Sequence, residues 1–305
     1  MRNAKTLSRR AKLWMVWLTL AALAGSGCDA VRNRTVVKKT EIPVAQEASA
    51  AQLIERHNQF ARGVHTLNAI IELKPTAGSA YSGVIEEYHD VRGFILAQRP
   101  ARIRMIGQAP VVAKNVFDMV SDGETFRIFI PSKHKFIVGP ANLERTAKKP
   151  IENLRPQHLV DAIFWPEIAP SQTTLFEEFD SETGRYYVLT VLREGTNNEI
   201  ARKIWFDRTD LQIARLQTFG ASGKLMSDIR YADWKAAGET PQDTAGSFSF
   251  PRKIILARPH DDYKLEIQVV KLALNGDLTA EQFKLEQPEG TELVQLSENE
   301  PRTQR

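Results

Sequence analysis

Along the chain the spacing of apolar positions changes twice, and each change marks a boundary between elements. Between Ala48 and Arg62, Leu53, His57 and Phe60 recur every three to four residues with Glu55, Arg56 and Arg62 elsewhere, which predicts one amphipathic helix. From Leu67 the period drops to two. Arg102-Ile103-Arg104-Met105, Val116 to Val120, Phe126-Arg127-Ile128-Phe129-Ile130 and Tyr186 to Leu192 alternate or are continuously apolar. Turn-forming clusters separate them, among them Ser121-Asp122-Gly123, Asp207 to Asp210, Gly220 to Gly223 and His260-Asp261-Asp262. Turns about every ten residues predict successive antiparallel hairpins, roughly a dozen strands between Leu67 and Leu274. Between Ala141 and Ile168 the helical period returns through Ile151, Leu154, Leu159, Ala162-Ile163 and Trp165, with Pro156 suited to a first helical turn. The expected class is mainly β (α+β), one sheet domain interrupted by a second helical segment.

A long meander leaves unpaired backbone at its ends and two faces to cover. Curling the sheet into an unclosed barrel relieves both problems, with the helical segments as lid or plug. Strand alternation assigns an inner face: Ile103 and Met105 against outward Arg102 and Arg104, Phe117 and Met119 against Asp118, and Leu225, Ile229 and Tyr231 against Asp228 and Arg230. Phe126, Ile128 and Ile130 complete the set. Two uses are open for these side chains: filling a core, or lining a cavity that takes acyl chains.

The first residues follow another pattern. Arg2, Lys5, Arg9, Arg10 and Lys12 precede an apolar run from Leu13 to Ala24, then Gly25-Ser26-Gly27 and the chain's single cysteine, Cys28. The run is shorter than the roughly 20 residues a spanning helix needs. The arrangement resembles a bacterial lipoprotein signal, which implies cleavage after residue 27 and a diacylglyceryl group and a fatty acid on Cys28. Plain secretory cleavage is the alternative. Residues 28–48, with scattered charge and Pro43, read as a tether, 49–291 as the folded domain and 292–305 as a disordered tail.

The leader also changes the charge argument. The whole chain carries a formal +4, but without the five leader cations 36 Lys+Arg face 37 Asp+Glu. The basic excess therefore gives no ground for nucleic-acid binding. One cysteine excludes an intramolecular disulfide framework.

Catalytic signals are weak. Six histidines, at 57, 65, 89, 134, 158 and 260, lack metal-ligand spacing, and no phosphate loop, dinucleotide fingerprint or nucleophile elbow occurs. His158 and Asp161 stand at i and i+3 on the second helical segment, within reach of each other but without a nucleophile. The adjacent carboxylates Glu86-Glu87 and Glu177-Glu178 would point to opposite faces of a strand. The expectation is a protein without catalysis, without a metal, and with no cofactor beyond the lipid on Cys28.

Several motifs in order carry a resemblance. Leu96-Ala97-Gln98-Arg99-Pro100, then Arg102-Ile103-Arg104-Met105, Val120-Ser121-Asp122-Gly123-Glu124-Thr125-Phe126 and Ile130-Pro131 are followed by Ile204-Trp205-Phe206-Asp207, Tyr231, Phe250-Pro251-Arg252-Lys253 and Asn275 before Phe283. Together they resemble the LolA/LolB lipoprotein carriers over roughly residues 50–291. The resemblance implies an unclosed β-barrel with a hydrophobic cavity and helical lid, holding acyl chains of lipoproteins or lipids. It gives Arg99 a lid-latching role through bonds to lid backbone; an outward arginine ending a strand before Pro100 is the other reading. In LolB a protruding apolar loop engages the bilayer, and Gln108 to Val112 holds the corresponding position, making Val111 and Val112 candidates for membrane contact. The chain departs from the soluble carriers in ending its leader with a cysteine. Asp29 beside that cysteine resembles an inner-membrane retention signal, so a periplasm-facing anchor in the inner or the outer membrane is open. A sensor or scaffold module binding an envelope protein partner is the competing function.

Overall fold

The computed structural model describes residues 44–79, 84–87, 89–109, 114–143, 153–181, 184–196, 198–237 and 248–297. Cys28, Val111 and Val112 lie outside them, as do the leader and most of the expected tether.

Helix α1 spans Ala50–Gly63. Ser49 caps it in a reciprocal box with Gln52, and Leu53, His57, Phe60 and Ala61 form its buried stripe. The chain then builds β1 (Thr66–Ser79), β2 (Val84–Glu87), β3 (Val91–Gln98), β4 (Arg102–Gln108), β5 (Asn115–Ser121), β6 (Thr125–Ile130) and β7 (Lys135–Pro140). Helix α2 follows at Pro156–Ile163. The remaining strands are β8 (Thr174–Asp180), β9 (Arg185–Leu192), β10 (Ile200–Asp207), β11 (Ile213–Phe219), β12 (Leu225–Ala236), β13 (Ser249–Arg258), β14 (Tyr263–Leu274) and β15 (Glu292–Gln295).

All fifteen strands form one sheet in the order β15-β7-β6-β5-β4-β3-β1-β14-β13-β12-β11-β10-β9-β8, with β2 attached to β1. The order does not return on itself, so the sheet is open, with edges at β8 and β15. Every pairing is antiparallel except β15 on β7. One apolar cluster takes side chains from strands as far apart as β4 (Ile103, Met105) and β9 (Tyr187, Leu189), so the sheet curls around a shared concave face.

Three local differences from the sequence reading have physical causes. In the Ala141–Ile168 stretch, of which residues 144–152 lie outside the described ones, helix Pro156–Ile163 stops short of Ile168, because Pro166 can donate no hydrogen bond and disfavours a helical Trp165. Strand β8 carries an acidic, almost wholly exposed sequence that gives little period-two signal. Residues 292–295, expected in a disordered tail, pair with β7 instead. Between β14 and β15 the chain crosses the convex face as a strap, held by a bond from Arg104 Nη1 to the Gln282 carbonyl (3.1 Å). At the strap's start, Asn275 adopts φ 58°, a conformation asparagine tolerates, and bonds the His65 N–H and the Gly63 carbonyl at the end of α1.

Candidate functional site

The concave face is largely apolar and is covered. Ile103, Met105, Met119, Phe126, Ile229 and Tyr231, assigned to the inner face from alternation, are all buried. Phe117 and Ile128 pack at the margin of the cluster, while Ile130 and Leu225 are half-buried and outside it. The cover consists of α1 and the segment from α2 to Ile168, whose Leu159, Val160, Ala162, Ile163, Phe164, Trp165 and Ile168 are buried against the sheet. The hollow expected under a lid is therefore occupied by the protein's own side chains. Trp165 sits at the centre of this packing, with ring centroids 4.4 Å from Phe60, 5.6 Å from Tyr231 and 6.1 Å from Trp234.

What holds the cover follows from its two prolines. A helix leaves its last carbonyls without donors, and Pro166 and Pro170, lacking N–H groups, cannot serve those of Ala162 and Pro166. Side chains from the surrounding elements do so. The Tyr231 hydroxyl donates to the Ala162 carbonyl and accepts from Trp165 Nε1, both at 2.9 Å. Arg99 donates from Nη2 to the Trp165 carbonyl (3.2 Å) and from Nε to the Val64 carbonyl (2.8 Å), with its guanidinium over the Phe164 ring. His57 Nε2 lies 3.0 Å from the Pro166 carbonyl, Arg202 Nη2 donates to the Glu167 carbonyl (2.8 Å), and Asn58 exchanges two 2.9 Å bonds with the backbone of Ile168. Five side chains from α1, the turn after β3, β10 and β12 thus converge on the backbone of one short segment. Of these, the sequence singles out Arg99 as a latch candidate and Tyr231 as a cavity candidate. His57 was read only as a position on a helical stripe. Asn58 and Arg202 went unnoticed, because neither lies in a motif.

Electrostatics mark the same place. Burial lowers the His57 imidazole to about 4, against the raising effect of its bond to the Pro166 carbonyl and with help from the nearby Arg202 and Arg99 cations. Burial likewise lowers the Arg202 guanidinium to about 10. His158 does not turn to Asp161; its Nδ1 lies 2.5 Å from the Tyr263 hydroxyl, and Asp161 accepts from Gln157. Among the described residues no group of three His, Cys, Asp or Glu is placed to hold a metal ion.

Two cavities border these elements. One of about 190 Å³ opens between His57, Phe60, Trp165, Phe206, Ile213 and Trp234, at one rim of the cover. It is smaller than the about 300 Å³ at which small-molecule sites begin. The other, about 540 Å³, lies on the convex side between the sheet and the strap, lined by Arg102, Arg127, Phe136 and Phe283 among others. Among the described residues no helix is long and apolar enough to cross a membrane.

No protein-family model matches the chain, and no curated protein matches it by sequence. Several solved structures are similar in fold. A LolA superfamily protein from Nitrosomonas europaea is 12% identical with a TM-score of 0.46, over 78% of this chain and 99% of the other. A putative outer membrane lipoprotein-sorting protein domain from Vibrio parahaemolyticus is 9% identical at the same TM-score, over 76% and 94%. A DUF1329 family protein from Desulfovibrio piger is 11% identical, also at 0.46, over 76% and 94%. These likenesses are distant and concern the fold alone.

Proposed function

We propose that this protein is a membrane-tethered envelope lipoprotein that takes acyl chains of lipoproteins or lipids onto its concave face and carries or accepts them, acting by binding and without catalysis. One observation carries the reading: a largely apolar sheet face is covered in part by a short segment that pairs with no strand and whose polar ties run from side chains of other elements to its backbone. A cover held through its carbonyls can leave without breaking any strand pairing.

Magnitudes favour an exchange. Five fully buried cover side chains, Leu159, Val160, Ile163, Phe164 and Ile168, contribute on the order of 10 kcal/mol at about 1.5–3 kcal/mol each. A sixteen-carbon chain at about 0.8 kcal/mol per methylene contributes a similar amount. Cover and cargo therefore compete for one surface on near-equal terms, which permits both uptake and release without nucleotide hydrolysis. Cys28, carrying a diacylglyceryl group and a fatty acid, would fix the molecule to a membrane, with Arg99 as a latch on the cover and Val111-Val112 as a contact with lipid.

The test is mass spectrometry of organic extracts from the full chain purified from its own envelope. Stoichiometric acyl lipid is expected, together with lipid on Cys28. Protein free of lipid that also fails to take any up from vesicles would overturn the reading.

The packed interior favours a second one, a module that binds a protein partner. Strand β8 is a sheet edge with Leu175, Phe176 and Phe179 exposed, a surface of the kind that pairs with another chain. A stable partner recovered with lipid-free protein, and lost on Phe179→Lys, would favour it.

A further inference from the structure

One row across the concave face is polar where its neighbour is wholly apolar. Register sets Arg202 on β10 opposite Thr218 on β11, Thr218 opposite Ser227 on β12, and Arg258 on β13 opposite Tyr263 on β14. The Thr218 and Ser227 hydroxyls lie 2.9 Å apart, and Arg258 Nη1 donates to Ser227 Oγ at 3.2 Å, joining the two halves. The adjoining row on the same five strands is Ile204, Leu216, Ile229, Leu256 and Leu265, each opposite the next and all buried. Side by side, the rows make an amphipathic lining of polar hydroxyls and guanidiniums beside aliphatic side chains.

The two arginines are not equally satisfied. Arg258 is neutralised by Asp261, 2.7 Å from its Nε. Arg202, only 8% exposed, meets neutral groups alone: the Glu167 carbonyl and, at 3.5 Å, Gln172 Oε1. Its Nε is buried with no partner. Among the described residues no carboxylate lies within ion-pair distance of it. A buried cation without a counter-charge is destabilising, and an apolar side chain there would serve a simple core better. An anion would supply the missing charge, and a charge-assisted bond to it outcompetes the neutral Glu167 carbonyl.

We propose that Arg202, with the Thr218 and Ser227 hydroxyls, is the site for the anionic headgroup, a phosphate or carboxylate, of a lipid whose chains lie along the adjoining aliphatic row. The inference rests on the reading of the concave face as a lipid site. It also links recognition to opening, because the guanidinium that takes the headgroup is one that holds Glu167 on the cover. Headgroup binding thus removes one tie of the cover as the chains arrive.

The experiment incubates the full chain and its Arg202→Gln, Arg202→Lys and Thr218→Val/Ser227→Ala variants with vesicles of phosphatidylcholine containing either phosphatidylglycerol or diacylglycerol of the same acyl composition. Lipid retained by the re-isolated protein is measured by mass spectrometry. The wild type is expected to retain phosphatidylglycerol over diacylglycerol by roughly ten- to a hundredfold, the range of a hydrogen bond to a charged group. Arg202→Gln and the double variant lose that preference, read as the ratio of the two lipids because loss of a cover tie changes the uptake of both, and Arg202→Lys keeps part of it. Equal retention of the two lipids by the wild type, or an Arg202→Gln variant that keeps the wild-type ratio, overturns the headgroup site and leaves the acyl-chain reading standing. Inorganic phosphate that displaces phosphatidylglycerol headgroups in the millimolar range would make the row a free-phosphate site and likewise overturn it. Retention of neither lipid removes the parent reading itself.

Discussion

Replacing Tyr231 with phenylalanine removes one oxygen from the point where the cover is most dependent on it. That hydroxyl serves the Ala162 carbonyl, which Pro166 leaves without a helical donor, and receives Trp165 Nε1–H, both at 2.9 Å in a buried setting. The ring keeps its place against Ile254 and Trp165, so packing is conserved and the loss is polar. Two buried groups left unsatisfied cost about 1–3 kcal/mol each, about 2–6 kcal/mol together. The strand pairs of β12 are untouched, so the loss falls on the covered state. Equilibrium urea unfolding of Tyr231→Phe reads the total, and hydrogen exchange read by mass spectrometry localises it. Exchange in a peptide covering residues 162–169 is expected to rise by tenfold or more, with peptides from β12 and β13 much less affected. A variant within about 0.5 kcal/mol of wild type, the range of ordinary surface changes, with unchanged exchange at 162–169, would refute the claim that this hydroxyl ties down the cover.

Three further outcomes follow from the same geometry. His57 is neutral in the fold with its value lowered from the ordinary 6.5 to about 4, so its contribution is complete above pH 6.5 and is lost as pH falls toward 4. The loss is about 2 kcal/mol at pH 5, and a His57→Gln variant, compared by urea unfolding at neutral pH and at that pH, is expected to lose that much less than wild type; parallel losses would contradict the assignment. Trp165→Ala empties the centre of the aromatic cluster and is expected to lower unfolding free energy by about 3–5 kcal/mol, whereas a loss below about 1 kcal/mol would mean the cover is not packed as described. Gly107 lies opposite Phe117 with the ring against its bare Cα, so an added methyl meets the ring. Gly107→Ala is expected to cost about 1–3 kcal/mol by overpacking, and Phe117→Leu in the same chain should recover most of it; additive losses in the double variant would show that the two do not share one space.

The strands and their inner face were legible because alternation carries both at once. Ile103, Met105, Met119 and Ile229 needed only the period of two and a choice of face. Helix α1 announced itself by its stripe of Leu53, His57 and Phe60. Whether the face lines a hollow or a core was not legible, since the same aliphatic residues serve either, and the answer depends on where a segment some forty residues away in sequence folds back. The cover's ties were hidden for a related reason: they run from side chains to backbone carbonyls, and carbonyls leave no mark in a sequence. Arg202 stands beside Lys203 and reads as part of a solvated pair; an irregularity in the pairing of β10 with β9 at Ile200/Arg202 accompanies its place on the concave face. Strand β8 was obscured by Glu177 and Glu178, yet their placement obeys the alternation rule, with Glu178 reaching Arg208 at 2.7 Å. Strand β15 is four residues long and borrows its stability from β7, which no local pattern announces.

The central claim is that the concave face takes acyl chains when the cover leaves it. Its most direct test is a photo-activatable side chain at Met105, which is fully buried on that face, in the full chain exposed to phosphatidylglycerol vesicles and in the envelope. Acyl-chain adducts at this position are expected, and more of them in the Tyr231→Phe background. Crosslinks confined to the protein's own α2 segment in both backgrounds would contradict the account.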